Sequence, residues 1–314
     1  EVESLKLGAH GIDEDILRSI ETDVRINTIK LHESGKEEKK YTEIATVLGF
    51  IAAIVIYIFI FMFGTMVMRG VIEEKTNRIV EVIVSSVKPF QLMIGKIVGV
   101  GLVGLTQFLL WVVLTLIIVT GFQQAFPEKF RLSYTEQAAT MEARLPSATP
   151  IATPTEQQLA ETAISRVIEG MMSINFGVVI FSFVFFFIGG FLLYGALFAA
   201  IGAAVDSETD SQQFMLPITI PLIFSIIMAQ YVINDPNGPL SFWLSVIPFT
   251  SPIIMMIRIP FGVPYFDLIL SMFLLVLGFL GTTWLAGKIY RTGILMYGKK
   301  VNYAELWKWV RYRT

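Results

Sequence analysis

Apolar residues in this chain gather into long uninterrupted runs, and the polar residues fall between them. Residues 44–68, 97–121, 171–205, 214–233 and 268–286 are each long and apolar enough to cross a bilayer, which takes about 20 residues as helix. The first two runs contain no charged side chain. The pattern predicts five spanning helices. The third run is 35 residues, roughly 52 Å at ~1.5 Å per residue, so it is expected to tilt, kink near Gly189 and Gly190, or project. A sixth run, 242–257, is too short to span and is broken by Pro248 and Pro252. Backbone at membrane depth must be hydrogen-bonded within the protein, so this run suits a re-entrant pair of half-helices.

The polar segments set the expected direction. The loop 69–96 holds Arg69, Lys75, Arg78, Lys88 and Lys96 against Glu73, Glu74 and Glu81. The tail holds Lys288, Arg291, Lys299, Lys300, Lys308, Arg311 and Arg313 against Glu305 alone. Both are expected to face the cytoplasm by the positive-inside rule. Residues 1–43 carry eleven acids against seven bases, and the loop 122–170 is slightly acidic; both are expected on the outer side. Five spans with a cytoplasmic tail start outside, so a preceding span and an intact subunit of six are expected. On this reading residues 1–43 end an extracytoplasmic domain, with a helix-like stretch at 13–20. Residues 44–292 form the transmembrane domain, and 293–314 an amphipathic cytoplasmic tail. Within the external loop, Pro146, Pro150 and Pro154 mark a linker, and Thr155 to Gln158 have capping-box spacing before a short helix through Val167. The fold class is therefore an all-α polytopic membrane protein of the inner or plasma membrane.

Composition agrees: 54% hydrophobic and 16% charged residues, with a mean hydropathy of +0.66, suit a membrane protein and not a soluble domain. With no cysteine there is no disulfide frame, thiol nucleophile or thiolate metal site. His10 and His32 lack partners at ligand spacing and are expected on the surface, with no metal. The net charge of −2 says little, because in a membrane protein the distribution of charge matters more than its sum; a nucleic-acid partner is not expected.

Between the first two runs, a helix over 72–88 would be amphipathic. Glu74, Arg78, Glu81, Ser85 and Lys88 fall on one stripe, and Ile72, Ile79, Val80, Ile83, Val84 and Val87 oppose it. Pro89 is expected to end that helix. Periodicity alone leaves two readings open: a solvated loop that enforces topology, or a lever.

Residues 73–97, opening Glu73, Glu74, Lys75, Thr76, Asn77, Arg78, Ile79, Val80, Glu81 and closing on Gly95, Lys96, Ile97, resemble the first cytoplasmic loop of the type-2 ABC exporter permease family. The likeness is nearest to its sodium-efflux-type group. A second patch, 194–213, followed by Met215, Leu216 and Pro217, resembles the family's junction between its fourth and fifth spans. The resemblance runs from about Ile44 to Arg291. It implies that 72–88 is a coupling helix resting on a separate ATPase subunit, with Glu73, Glu74, Lys75, Arg78 and Glu81 as contacts. It also implies a second permease subunit, identical or different. ATP and magnesium would be bound by the partner, and this chain would hold no cofactor. The acidic turn Asp206, Glu208, Asp210 would meet basic groups of the partner, or be a solvated turn.

Elsewhere the signals are absences. Gly95-Lys96 and Gly287-Lys288 are each followed by isoleucine, without the earlier glycine of a phosphate loop. The chain is thus not expected to be an enzyme itself. The runs lack Asp, Glu and His, groups that ion-driven carriers keep at depth. Polar candidates for a translocation path are Gln107, Asn175 and Gln230, residue types that at such depth more often bond between helices than hold substrate. Pro248 and Pro252 are candidate gate residues. Arg258 is expected to snorkel to the interface, and Trp307 with Trp309 to anchor the tail in anionic lipid. Small-residue faces at Gly95/Gly99 and Gly195/Ala199/Gly202 are expected to admit close helix contacts. The resemblance implies export of a substrate such as sodium ion or a drug- or lipid-like molecule. Alternative readings are an ion-coupled secondary transporter and a membrane-embedded sensor or scaffold.

Overall fold

The computed structural model describes residues 42–79, 82, 86–125, 174–296 and 302–311, and the regular structure within them is helical. In chain order the helices are α1 (Thr42–Thr76), α2 (Pro89–Ala125), α3 (Phe176–Ala204), α4 (Glu208–Asn234), α5 (Pro239–Val246), α6 (Ser251–Arg258), α7 (Tyr265–Gly293) and α8 (Tyr303–Arg311). Five of these, α1, α2, α3, α4 and α7, are long and apolar enough to cross a membrane. The expected helices at 13–20 and 155–167 lie outside the described residues.

The spanning helices other than α3 outrun their apolar stretches. Residues 72–76, expected to open a separate coupling helix, instead prolong α1. That helix ends because Arg78 adopts φ 55, the left-handed conformation that commonly closes a helix; Arg78 N bonds Lys75 O at 3.0 Å. Pro89 does not end a helix but opens α2, where a missing N–H is harmless and a fixed φ is already helical. Part of the expected coupling helix (80, 81 and 83–85) lies outside the described residues.

α3 is the central element, buried almost all round over its second half. It runs unbroken for 29 residues from Asn175, whose Oδ1 accepts from Val178 N at 3.3 Å. Gly189 and Gly190 do not mark a break; they admit Leu275, Ile60 and Pro252. Of the two small-residue faces, the one on α3 is used. A Cβ on Gly202 would stand 2.6 Å from Met68 O of α1. Gly95 and Gly99 face open space, and α2 makes its approach through Gly101 and Gly104, against Phe191 and Phe63. Phe108 completes that seam, 5.6 Å from Phe59 edge-on and 5.4 Å from Phe183. Beyond it every residue from Leu109 to Phe122 is exposed.

The run 242–257 folds as a hairpin of half-helices, α5 and α6. Arg258, at the end of α6, donates from Nε to Pro236 O just before α5 at 2.7 Å, so the hairpin enters and leaves at one level. All eight residues of α6 are buried; the apolar ones from Pro252 to Ile257 suit that place, and Ser251 and Arg258 at its ends need internal partners. Where the half-helices stop, side chains satisfy the loose carbonyls. Tyr194 Oη donates to Phe249 O at 2.6 Å, Thr250 Oγ1 to Leu244 O at 2.5 Å, and Ser271 Oγ to Ser245 O at 2.6 Å. Arg258 does not snorkel. It is 1% exposed, gives NH1 to Ser245 Oγ, and pairs with Asp267 Oδ2 of α7 at 3.1 Å.

Breaking a buried ion pair leaves an uncompensated charge and costs about 3–5 kcal/mol. R258M is therefore expected to destabilise the chain by about 3 kcal/mol, read as a fall in Tm in detergent, and R258M/D267N to recover more than half of it. Overpacking costs about 1–3 kcal/mol. G202A, pressed on backbone, should lower Tm by an amount in that range, whereas G95A, in open space, should not lower it.

Candidate functional site

The α1–α2 loop, the α3–α4 turn and the tail helix meet at one end of the bundle, opposite the hairpin. Lys75, in the last turn of α1, is drawn inward because Gly202 lets α3 lie close. Its Nζ sits 2.8 Å from Asp206 Oδ1 and donates to Ala203 O at 2.9 Å, and the residue is 1% exposed. A lysine so buried is held charged only by such partners. Nearly two turns earlier, Arg69 Nε lies 2.5 Å from Glu208 Oε1, an exposed pair of small energetic weight. Glu74 Oε2 lies 2.6 Å from Lys96 Nζ of α2, which also donates to Gly70 O at 2.6 Å. Three ion pairs thus join the end of α1 to α2, to the α3–α4 turn and to α4.

The expected contact residues divide accordingly. Glu74, Lys75, Asp206 and Glu208 are engaged inside the chain. Asp210 belongs to the cap of α4, with Ser207 Oγ donating to its Oδ2 at 2.7 Å and accepting from its N at 3.1 Å. Glu73 and Arg78 are exposed at the turn. Glu81 lies outside the described residues. Exposed apolar side chains accompany Glu73 and Arg78: Ile79, Val87, Phe90 and Val82, the last 73% exposed. The result is a mixed polar and apolar surface on a braced helix end.

Sequence reasoning counted Arg69 and Lys96 only as topology charges. Lys96 carried a readable signal, since a lysine one residue before a charge-free run needs an internal partner at that depth. The path candidates are not brought together as a site. Gln107 and Gln230 are exposed on α2 and α4, and Asn175 is the exposed cap of α3. The gate candidates are packing residues. Pro252 is buried against Gly190 of α3, and Pro248 lies against Gly278 of α7, where a Cβ would stand 2.6 Å away. Among the described residues no group of three or more His, Cys, Asp or Glu is placed to hold a metal.

Comparison with known proteins bears on what this end does. The uncharacterized protein YhaP of Bacillus subtilis (strain 168) is 26% identical over 289 residues, covering 92% of this chain and 60% of YhaP. The uncharacterized protein MJ1024 of Methanocaldococcus jannaschii is 26% identical over 111 residues, 35% of this chain and 27% of that protein. The chain thus spans less than two thirds of either relative's length. No solved structure matches it. The family model of the ABC-2 family transporter proteins matches residues 7–288, which is most of the chain, and the chain belongs to that family.

Proposed function

We propose that this chain is the membrane-spanning permease subunit of an ATP-driven ABC exporter. It works with a second permease subunit, and a separate ATPase subunit binds ATP and magnesium. The complex sits in the inner or plasma membrane with the α1–α2 loop and the tail in the cytoplasm. The single observation that carries the reading is the braced end of α1. A loop that receives a push must be joined to the helices it moves, and Lys75, Glu74 and Arg69 make those joints to α3–α4, α2 and α4. Glu73, Arg78, Ile79 and Val82 are the surface offered to the ATPase. Closure of the ATPase would press on this surface and shift α1 together with its neighbours. The cargo is an apolar or amphipathic molecule; the charge-free spans favour that over sodium, because a bare cation at depth needs oxygen ligands and is costly without them.

The complex should be purified with its ATPase and reconstituted in vesicles. E73K/R78E is expected to weaken retention of the ATPase. K75M is expected to retain it and its hydrolysis, yet export about 5-fold less per ATP, the low end of a 1–3 kcal/mol coupling. Transport that survives ATP depletion and collapses with an ion gradient would overturn the assignment in favour of an ion-coupled carrier.

A further inference from the structure

The tail helix α8 lies beyond the segment that the family model covers, so membership of the family says nothing about it. The helix is firmly seated. Trp309 is 5% exposed and lies against Gly293 of α7, where an added Cβ would stand 3.0 Å from its ring. Lys288 Nζ of α7 donates to Val310 O at 3.0 Å. Tyr303 Oη donates to Gln213 O of α4 at 3.0 Å, and its ring lies 5.0 Å from Phe214. Trp309 is thus an internal peg, a correction to the expectation that it enters lipid beside Trp307.

What faces outward is different in kind. Trp307, Lys308 and Arg311 share the outer face of α8, with Trp307 59% exposed. The Arg311 guanidinium stands 5.3 Å from the Trp307 ring centre. On α7, Trp284 is equally exposed, and the Lys288 ammonium stands 4.3 Å from its ring centre. Lys288 also donates to the carbonyl of Val310, the residue before Arg311, so one direct contact between α7 and α8 links the two cation–aromatic pairs. Their position follows from the chain: Trp284 is in the last turns of a spanning helix, and α8 begins ten residues after that helix ends. Indole rings favour the level of lipid headgroups, and a guanidinium matches a phosphate with two parallel donors. From residue 288 onward the chain has seven basic residues against Glu305, so the charge complementarity is with an anion.

We propose that Trp284 with Lys288 and Trp307 with Arg311 form one site for the headgroup phosphate of an anionic phospholipid, shared between α7 and α8. Two exposed indoles then lie in the headgroup layer, and the lipid holds α8 across the ends of α4 and α7. The reading is independent of the exporter assignment.

Native mass spectrometry of the full chain in detergent, titrated with phosphatidylglycerol or phosphatidylcholine of identical acyl chains, tests it. The wild type is expected to retain phosphatidylglycerol preferentially. R311Q, which removes no seating contact of α8, should cut that preference about 5-fold, as a cation near an anionic headgroup contributes. K88Q, an equal charge loss on the α1–α2 loop, should leave it unchanged. W309A, which unseats α8, should lose it. Equal effects of R311Q and K88Q would mean diffuse charge rather than a site and would overturn the proposal, as would equal retention of both lipids by the wild type. Displacement of phosphatidylglycerol by millimolar glycerol phosphate would assign the site to a soluble anion instead. An intact lipid preference in R311Q would also overturn the proposal, because Arg311 would then hold no headgroup.

Discussion

An ammonium group withdrawn from water fixes the geometry of the whole loop end. Lys75 has only two ways to keep its charge there, a carboxylate and a carbonyl, and it takes both, from Asp206 and Ala203. Ala203 is next to last in α3, so its carbonyl is one of those that no helical N–H satisfies, at the negative end of the helix dipole. Asp206 leads into α4, whose Ser207 cap follows at once. A single side chain of α1 thereby closes α3 and sets the start of α4. The arrangement depends on Gly202, because any side chain there would hold Met68 and the following turns of α1 away. Backbone proximity and charge burial are one constraint at this point.

The hairpin end meets the same constraint with neutral groups. Interrupting a helix inside the bundle frees carbonyls that lipid cannot satisfy. Hydroxyls of Tyr194 and Ser271 reach in from α3 and α7, and Thr250 serves from within. The one charge, Arg258, is spread over Pro236 O, Ser245 and Asp267, which ties the mouth of the hairpin to α7. Pro248 and Pro252 sit where α7 and α3 present glycine, so they shape the hairpin's seat.

The spans and the half-helices were legible in the sequence because lipid imposes length and apolarity on every residue of a crossing helix, and that requirement has no local substitute. Helix ends were not legible. Residues 72–76 have the same amphipathic spacing whether they begin a new helix or prolong α1, and the left-handed turn at Arg78 lacks the glycine that usually announces it. The contact residues were half legible. Glu74, Lys75, Asp206 and Glu208 were marked out as charges at the right end, but whether such a charge meets a partner or its own chain depends on which helices lie side by side. Arg258 shows the same limit. Its place at the end of a short apolar helix reads as snorkelling until Asp267, nine residues on, is brought back onto it by the start of α7.

Stiffness is unevenly distributed between the two ends. α1 is a single helix of 35 residues, roughly 52 Å at ~1.5 Å per residue. It carries the loop at one end, and Gly49 near the other end lies against the backbone of Ile257 in α6. Along its length it is fastened to α3 by close backbone approach and by the buried Lys75 pair, so α1, α3 and α6 move together or unpack. α2 is held differently. Its first half grips α1 and α3 through the Glu74–Lys96 pair with Gly70 O, the buried Met93 and Ile97, the Gly104–Phe63 and Gly101–Phe191 approaches and the ring of Phe108, after which it has no buried residue through Phe122. Among the described residues no buried side chain holds the half beyond Phe108, whereas α1 is packed from Gly49 to Lys75. Firm packing thus runs the length of α1 but ends at Phe108 in α2, so the far half of α2 is the part of these two helices that can move without unpacking a buried neighbour.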